Sequence, residues 1–131
     1  MVLPSTVLVI EDEIPLQNAI EIKLKSAGLR PILAGSADAA TKILSQEIPD
    51  LIWLDLLLPG MGGLEFLEDM RNNEKWAHIP VMIVSVTGGP EKIKRAFELN
   101  VIDYMVKSQY RIEEIIARVQ EFFGDKARRG V

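Results

Sequence analysis

Three acids in a row, Glu11-Asp12-Glu13, follow directly on the apolar run Val7-Leu8-Val9-Ile10. Asp55 follows Leu51-Ile52-Trp53-Leu54 in the same way, Ser85 follows Val81-Met82-Ile83-Val84, and Lys107 follows the run ending at Val106. Parallel α/β sheets carry their sites beyond the carboxyl ends of the strands, so these residues are candidates for one pocket. If Glu11, Asp12 and Asp55 converge there, two like charges ~4 Å apart repel by about 4 kcal/mol at an effective dielectric near 20. A divalent cation relieves that repulsion, and all-oxygen ligation without histidine or cysteine favours Mg²⁺ or Mn²⁺ over zinc. Lys107 adds a positive charge and a phosphate partner, and Ser85 adds a hydroxyl donor. Each of these residues also has a plain structural reading. Glu13 in particular suits a helix N-terminus, where a carboxylate complements the macrodipole.

The elements that must position these groups alternate along the chain. Val7–Ile10 is a short β-branched run and reads as a buried strand. Pro15 suits the first turn of a helix; Leu16, Ala19, Ile20, Leu24 and Ala27 share its inner face, and Gly28 closes it. Pro31–Ala34 is a second strand, placed at an edge because Pro31 has no amide to give to a ladder. Ser36 can cap a helix from Ala37 to Gln46. Leu51–Leu54 is apolar at every position, the mark of a central strand covered on both faces. The glycine-rich loop from Pro59 to Gly63 precedes a third helix carrying Leu64, Leu67 and Met70. Val81–Val84 is the fourth strand, and Gly88-Gly89-Pro90 leads to a fourth helix. Asn100 stands where a left-handed residue is tolerated. Val101–Val106 is the fifth strand, and Ile112, Ile115, Ile116, Val119, Phe122 and Phe123 trace a 3.6-residue stripe on a last helix. Residues 125–131 are expected to be a short, unstructured basic tail. The order βα, five times over, favours a doubly wound parallel sheet with helices on both faces.

The chain has 131 residues, of which 48% are hydrophobic and 26% charged, the usage of one globular domain. The net charge of −4 argues against a general nucleic-acid binder. With no cysteine in the chain, disulfides, thiolate metal sites and cysteine nucleophiles are excluded. No apolar run approaches the ~20 residues of a membrane span, and the N-terminus has no signal-peptide pattern. A cytoplasmic location is the expectation.

The segments VLVIEDE, PDLIWLDLLLPGMGGLEFL, IPVMIVSV and DYMVK resemble the receiver domains of two-component signalling, from about Thr6 to Phe123. The resemblance implies a flavodoxin-like (βα)5 three-layer sandwich with sheet order 2-1-3-4-5, and a receiver domain over residues 1–124. It implies that Asp55 is the phosphoacceptor. Asp12 would be a direct metal ligand, Glu11 a ligand directly or through water, and the Leu57 backbone carbonyl a further one. Ser85 and Lys107 would hold the phosphoryl group, and Tyr104 would be the aromatic side chain that follows the switch. The implied cofactor is Mg²⁺, with Mn²⁺ able to replace it. The implied partners are a histidine kinase or histidine phosphotransfer protein and a downstream protein target. A homodimer through the fourth helix, fifth strand and fifth helix is a further possibility. A regulator rather than an enzyme is expected.

Several positions depart from that family's pattern. Ser108 stands where proline usually follows the lysine with a cis bond. A cis bond before a non-proline costs ~2.5–4 kcal/mol, so a trans Lys107–Ser108 bond is expected. Val86 replaces a smaller residue beside Ser85, Gly62 an aspartate, and Asn100 a glycine. Three rival readings share this topology. A receiver-like interaction domain that is never phosphorylated would keep the fold. A flavin mononucleotide site would need a hydroxyl- and glycine-rich loop where Glu11-Asp12-Glu13 stand. An aspartyl-phosphate phosphatase would need a second acid at Leu57.

Overall fold

A computed structural model describes residues 3–86 and 88–128 of the chain. Five strands, β1 (Thr6–Ile10), β2 (Arg30–Ala34), β3 (Leu51–Leu54), β4 (Val81–Ser85) and β5 (Asp103–Val106), form one parallel sheet in the order β2-β1-β3-β4-β5. Five helices alternate with them: α1 (Ile14–Ser26), α2 (Ala37–Leu44), α3 (Gly63–Arg71), α4 (Pro90–Glu98) and α5 (Ile112–Arg128). This is the flavodoxin-like arrangement expected above.

Successive residues of a strand point to opposite faces, so each central strand serves two cores. Val7, Val9, Leu51, Trp53, Met82 and Val84 pack with Ile20 and Leu24 of α1 and Ile115 and Val119 of α5. Leu8, Ile10, Ile52, Leu54 and Ile83 pack on the other face with Ala40 of α2, Leu67 and Met70 of α3 and Ala96 of α4. The continuous apolar runs of β1, β3 and β4 are thus explained: every residue of these strands is buried. β2 lies at the edge, as Pro31 requires, and is only partly covered. Neighbours change direction about β1 and β3, which opens a crevice beyond their carboxyl ends, where Ile10 pairs with Leu54.

Two left-handed positions match the sequence reading. Gly28 (φ 81°) follows the C-cap of α1, and Asn100 (φ 61°) reverses the chain after α4. Ser36 caps α2, its hydroxyl accepting from the Ala39 amide at 3.1 Å.

Three boundaries differ from expectation by more than a single residue. α2 ends at Leu44, not Gln46, and β5 begins at Asp103, not Val101. α5 continues to Arg128 through residues read as an unstructured tail. The apolar stripe stops at Phe123, but a helix already anchored by packing propagates cheaply through residues that bury nothing. Residues 129–131 of the expected tail lie outside the described residues.

Candidate functional site

Lys107 follows β5, and its ammonium lies 2.7 Å from Glu11 Oε1 and 3.0 Å from Asp55 Oδ2. One side chain thus joins the ends of β1, β3 and β5. Glu11, at the end of β1, is buried, with 1% exposure; Asp55, at the end of β3, is 4% exposed; Asp12 is open to solvent. Carboxylate oxygens of Glu11, Asp12 and Asp55 lie within 4.8 Å of one another. The convergence expected from the strand ends is therefore present.

The backbone holds each group in place. Asp55 continues the sheet, its amide donating to the Ile10 carbonyl at 3.1 Å. Its Oδ1 accepts from the Leu57 amide at 3.0 Å while Lys107 takes Oδ2, so both oxygens are fixed and the carboxylate cannot rotate freely. Glu11 is held similarly: its amide donates to Ala34 O, and its Oε2 accepts from the Glu13 amide at 3.0 Å. The β3–α3 loop returns so closely that a Cβ on Gly63 would stand 2.3 Å from the Asp55 carbonyl oxygen and 2.7 Å from Leu56 Cα. Only glycine fits there.

Ser85 ends β4 and is fully buried, and the Leu54–Ile83 pairing puts it on the strand beside Asp55. Tyr104 pairs with Ile83 on the opposite side of β4 and is 9% exposed, inside the core shared with α3 and α4. Gly88 links the β4–α4 loop to β5, because a Cβ there would come 2.7 Å from Val106 Cγ2. No peptide bond among the described residues is cis; Lys107–Ser108 is trans, and Lys107–Gln109 form a single 3-10 turn. Lys107 still reaches both acids from that turn. Val86 is exposed, with 57% of its surface open.

Burial pushes the Glu11 carboxyl above its ordinary range, and the nearby Asp55 charge adds to this. Hydrogen bonds from Lys107 and the Glu13 amide pull the other way without cancelling it. Burial also works against the Lys107 ammonium, but hydrogen bonds to Glu11 and Asp55, together with their charges, outweigh it and hold the group above its usual value. The pocket therefore carries a firmly protonated lysine facing a Glu11 carboxyl whose burial resists its charge.

The oxygen-only donors suit a hard cation, so Glu11, Asp12 and Asp55 could hold a metal ion. Such an ion would bring positive charge to the point where the three carboxylates meet, beside the charge that Lys107 already supplies.

Comparison with known proteins agrees with this geometry. The response regulator receiver domain family matches residues 7–120. The chain belongs to that family. Members of the family are regulatory domains of two-component systems rather than enzymes with an external substrate. The phosphate regulon transcriptional regulatory protein PhoB of Escherichia coli is 32% identical over 114 residues, 87% of this chain and 49% of PhoB. The chain thus spans about half the length of the curated relatives it matches. The Francisella response regulator 1452 receiver domain superposes with a TM-score of 0.83 at 24% identity, covering 93% of this chain and 98% of that one, and shares the fold. The Mn²⁺-bound form of response regulator Rcp1 has a TM-score of 0.77 at 27% identity, covering 90% of this chain and 91% of that one. No helix among the described residues is long and apolar enough to cross a membrane.

Two residues of structural consequence were not singled out in the sequence. Gln17 is buried in α1, and its Nε2 donates to the Glu11 carbonyl at 2.9 Å, fixing the backbone beside the acid. Its signal was a polar residue on the same stripe as Ile20 and Leu24, a place where burial demands a partner. Arg71, at the end of α3, donates to the carbonyls of Leu99 at 2.7 Å, Ala77 at 3.0 Å and Ile79 at 2.7 Å. No sequence signal marks it, because its partners are backbone groups of distant segments.

Proposed function

We propose that the domain is a phosphorylation switch that accepts a phosphoryl group on Asp55. The observation that carries the reading is the single lysine joining two buried acids from separate strands, Glu11 at 2.7 Å and Asp55 at 3.0 Å. A structural ion pair needs one acid; a lysine between two acids, with a third beside them, is the arrangement of a site that receives an anion and a cation together.

In this reading an Asp55 oxygen attacks the phosphorus of a phosphohistidine on a histidine kinase or histidine phosphotransfer protein, or of a small acyl phosphate. The O–P bond forms as the P–N or P–O bond breaks, and the electron pair stays with the leaving group. The fixed Asp55 carboxylate needs little reorientation to attack. Lys107 shifts its hydrogen bonding from the carboxylate to the phosphoryl oxygens, and the Ser85 hydroxyl donates to another. Glu11, Asp12, Asp55 and the Leu57 carbonyl would hold Mg²⁺, or Mn²⁺, which when bound neutralises charge developing on the phosphoryl oxygens.

The product brings about two further negative charges to a buried place. Ser85 and the loop after it are drawn in, Tyr104 repacks, and the surface of α4, β5 and α5 changes its preferred packing. That surface would contact a downstream protein target, or a second copy of the domain. The net charge of −4 fits a domain that touches proteins rather than nucleic acid, working in the cytoplasm.

Titration with beryllofluoride, with and without Mg²⁺, followed by amide chemical shifts, tests the reading. Saturable shifts in β4, α4 and β5 that require Mg²⁺ and vanish in Asp55→Asn are expected, as is acyl-phosphate labelling lost in the same variant. A domain that binds partners without being phosphorylated would show neither response.

A further inference from the structure

Asp12 sits in the short link between β1 and α1, and hydrogen bonds close around it on both sides. The Glu13 amide donates to Glu11 Oε2 at 3.0 Å, and Gln17 Nε2 donates to the Glu11 carbonyl at 2.9 Å. The Gln17 amide in turn donates to the Glu13 carbonyl at 2.9 Å, which ties the first turn of α1 to the same link. Each peptide group is a rigid plane. A bond to the Glu11 carbonyl therefore holds the plane that ends at the Asp12 Cα, and a bond to the Glu13 amide holds the plane that begins there. With both planes held, φ and ψ of Asp12 are set, and so is the direction of its Cα–Cβ bond. That matters more for Asp12 than for its neighbours: Glu11 and Asp55 are buried, whereas Asp12 is open to solvent and takes its aim from the backbone. The aim is inward, since carboxylate oxygens of all three acids lie within 4.8 Å of one another. Gln17 is buried on the same side of α1 as Ile20 and Leu24. Helical side chains lean toward the N-terminus of their helix, which lets Gln17 reach back over Glu13 and Asp12. Leucine or methionine would bury there at a smaller desolvation cost, so what glutamine adds is its donor.

We propose that Gln17 is a positioning residue for the divalent-cation site: by holding the Glu11–Asp12 peptide it aims Asp12, in advance of binding, at the point where the three carboxylates meet. Gln17 touches neither the cation nor the phosphoryl group and acts only through Asp12. This rests on the cation site of the proposed switch and not on phosphoryl transfer to Asp55. Groups that orient metal ligands are worth roughly 10–100-fold in affinity; with one ligand of several loosened, a loss of about tenfold is expected when the Gln17 donor is removed.

The test titrates the whole, metal-free chain with Mn²⁺ and follows the free ion by electron paramagnetic resonance. Gln17→Met keeps the length and bulk of the side chain and removes the donor; Gln17→Leu is a second variant of the same kind. Ile20→Val trims the same buried side of α1 and serves as the packing control. Amide ¹⁵N relaxation of the metal-free proteins gives the second readout. Both Gln17 variants should bind Mn²⁺ about tenfold more weakly than the wild type, and Ile20→Val should bind it as the wild type does. Without metal, the Asp12 amide order parameter should fall from about 0.85 toward about 0.6 in the Gln17 variants and recover when Mn²⁺ saturates the site. Wild-type affinity in both Gln17 variants, an equal loss in Ile20→Val, or an Asp12 amide that stays rigid overturns the proposal. A wild type that binds no Mn²⁺ would remove the cation site itself, and with it both this role of Gln17 and the cation-dependent switch; unchanged binding in the Gln17 variants would remove the role of Gln17 alone.

Discussion

Replacing Lys107 with methionine keeps most of the stem's bulk and removes only the charge. The ammonium lies 2.7 Å from Glu11 and 3.0 Å from Asp55, with the three side chains 18%, 1% and 6% exposed. At an effective dielectric near 20 each attraction is about 6 kcal/mol, but most of that offsets the cost of taking the charges out of water. What matters is what remains after truncation: two buried carboxylates without a counter-charge. Breaking a buried pair from one side costs about 3–5 kcal/mol. Glu11 has an escape, because burial already raises its pKa, and a proton relieves the strain. Each pH unit is worth about 1.4 kcal/mol, so the cost should shrink as the solution is acidified. In metal-free buffer the expected loss is about 3 kcal/mol near pH 8 and under about 1.5 kcal/mol near pH 5. Millimolar Mg²⁺ should restore most of it, and the variant should bind Mg²⁺ at least roughly tenfold more tightly, since one positive charge has left the site. Urea unfolding of both proteins at the two pH values, with chelator or Mg²⁺, measures all of this. A loss of the same size under every condition would refute the reasoning: the lysine would then matter through packing, not as the counter-ion of the acids.

Glu11→Gln should flatten the pH dependence of stability. The folded-state pKa of Glu11 is raised above 4.5, so the native protein holds this proton longer than the unfolded chain does. The contribution is fully present below the unfolded value and is lost as pH rises through the folded one; in metal-free thermal melts the wild type should show that decline and the variant should not. Gly63→Ala should cost about 2–4 kcal/mol, because the added Cβ meets backbone at 2.3 Å and 2.7 Å; it should also weaken Mg²⁺-dependent beryllofluoride binding by displacing the Asp55 loop, whereas a stable variant with unchanged binding would contradict the close approach. Arg71→Met should cost about 2–3 kcal/mol by leaving the Leu99, Ala77 and Ile79 carbonyls without their charged donor. Hydrogen exchange should show the faster opening centred on residues 95–101, and uniform acceleration across the sheet would argue against a local anchor.

Local rules were enough for much of the architecture. Unbroken apolar strands and a helix between each pair leave few arrangements besides a parallel sheet covered on both faces, and Pro31 assigns the edge. Asn100 and Gly28 were legible because chain reversal after a helix demands a left-handed residue. Candidate site residues were visible for the same reason: in such a sheet, polar groups that end apolar strands must share one rim. Element ends were less legible, because α5 continues past its last core residue where helix propagation, not burial, decides.

Tertiary structure alone decided which groups touch. That Lys107 joins Glu11 and Asp55, rather than one of them or solvent, depends on the path of a turn in which Ser108 replaces the usual proline, and backbone paths in loops are set by contacts from distant segments. The burial that raises the Glu11 carboxyl comes from segments distant in sequence that pack around the end of β1. The support from Gln17, the carbonyls gathered by Arg71 and the unpartnered Trp53 indole arise in the same way. Sequence determines which side chains lie near a rim, because strand periodicity is local. Distances, desolvation and hydrogen-bond partners are properties of segments brought together, and only the folded chain fixes them.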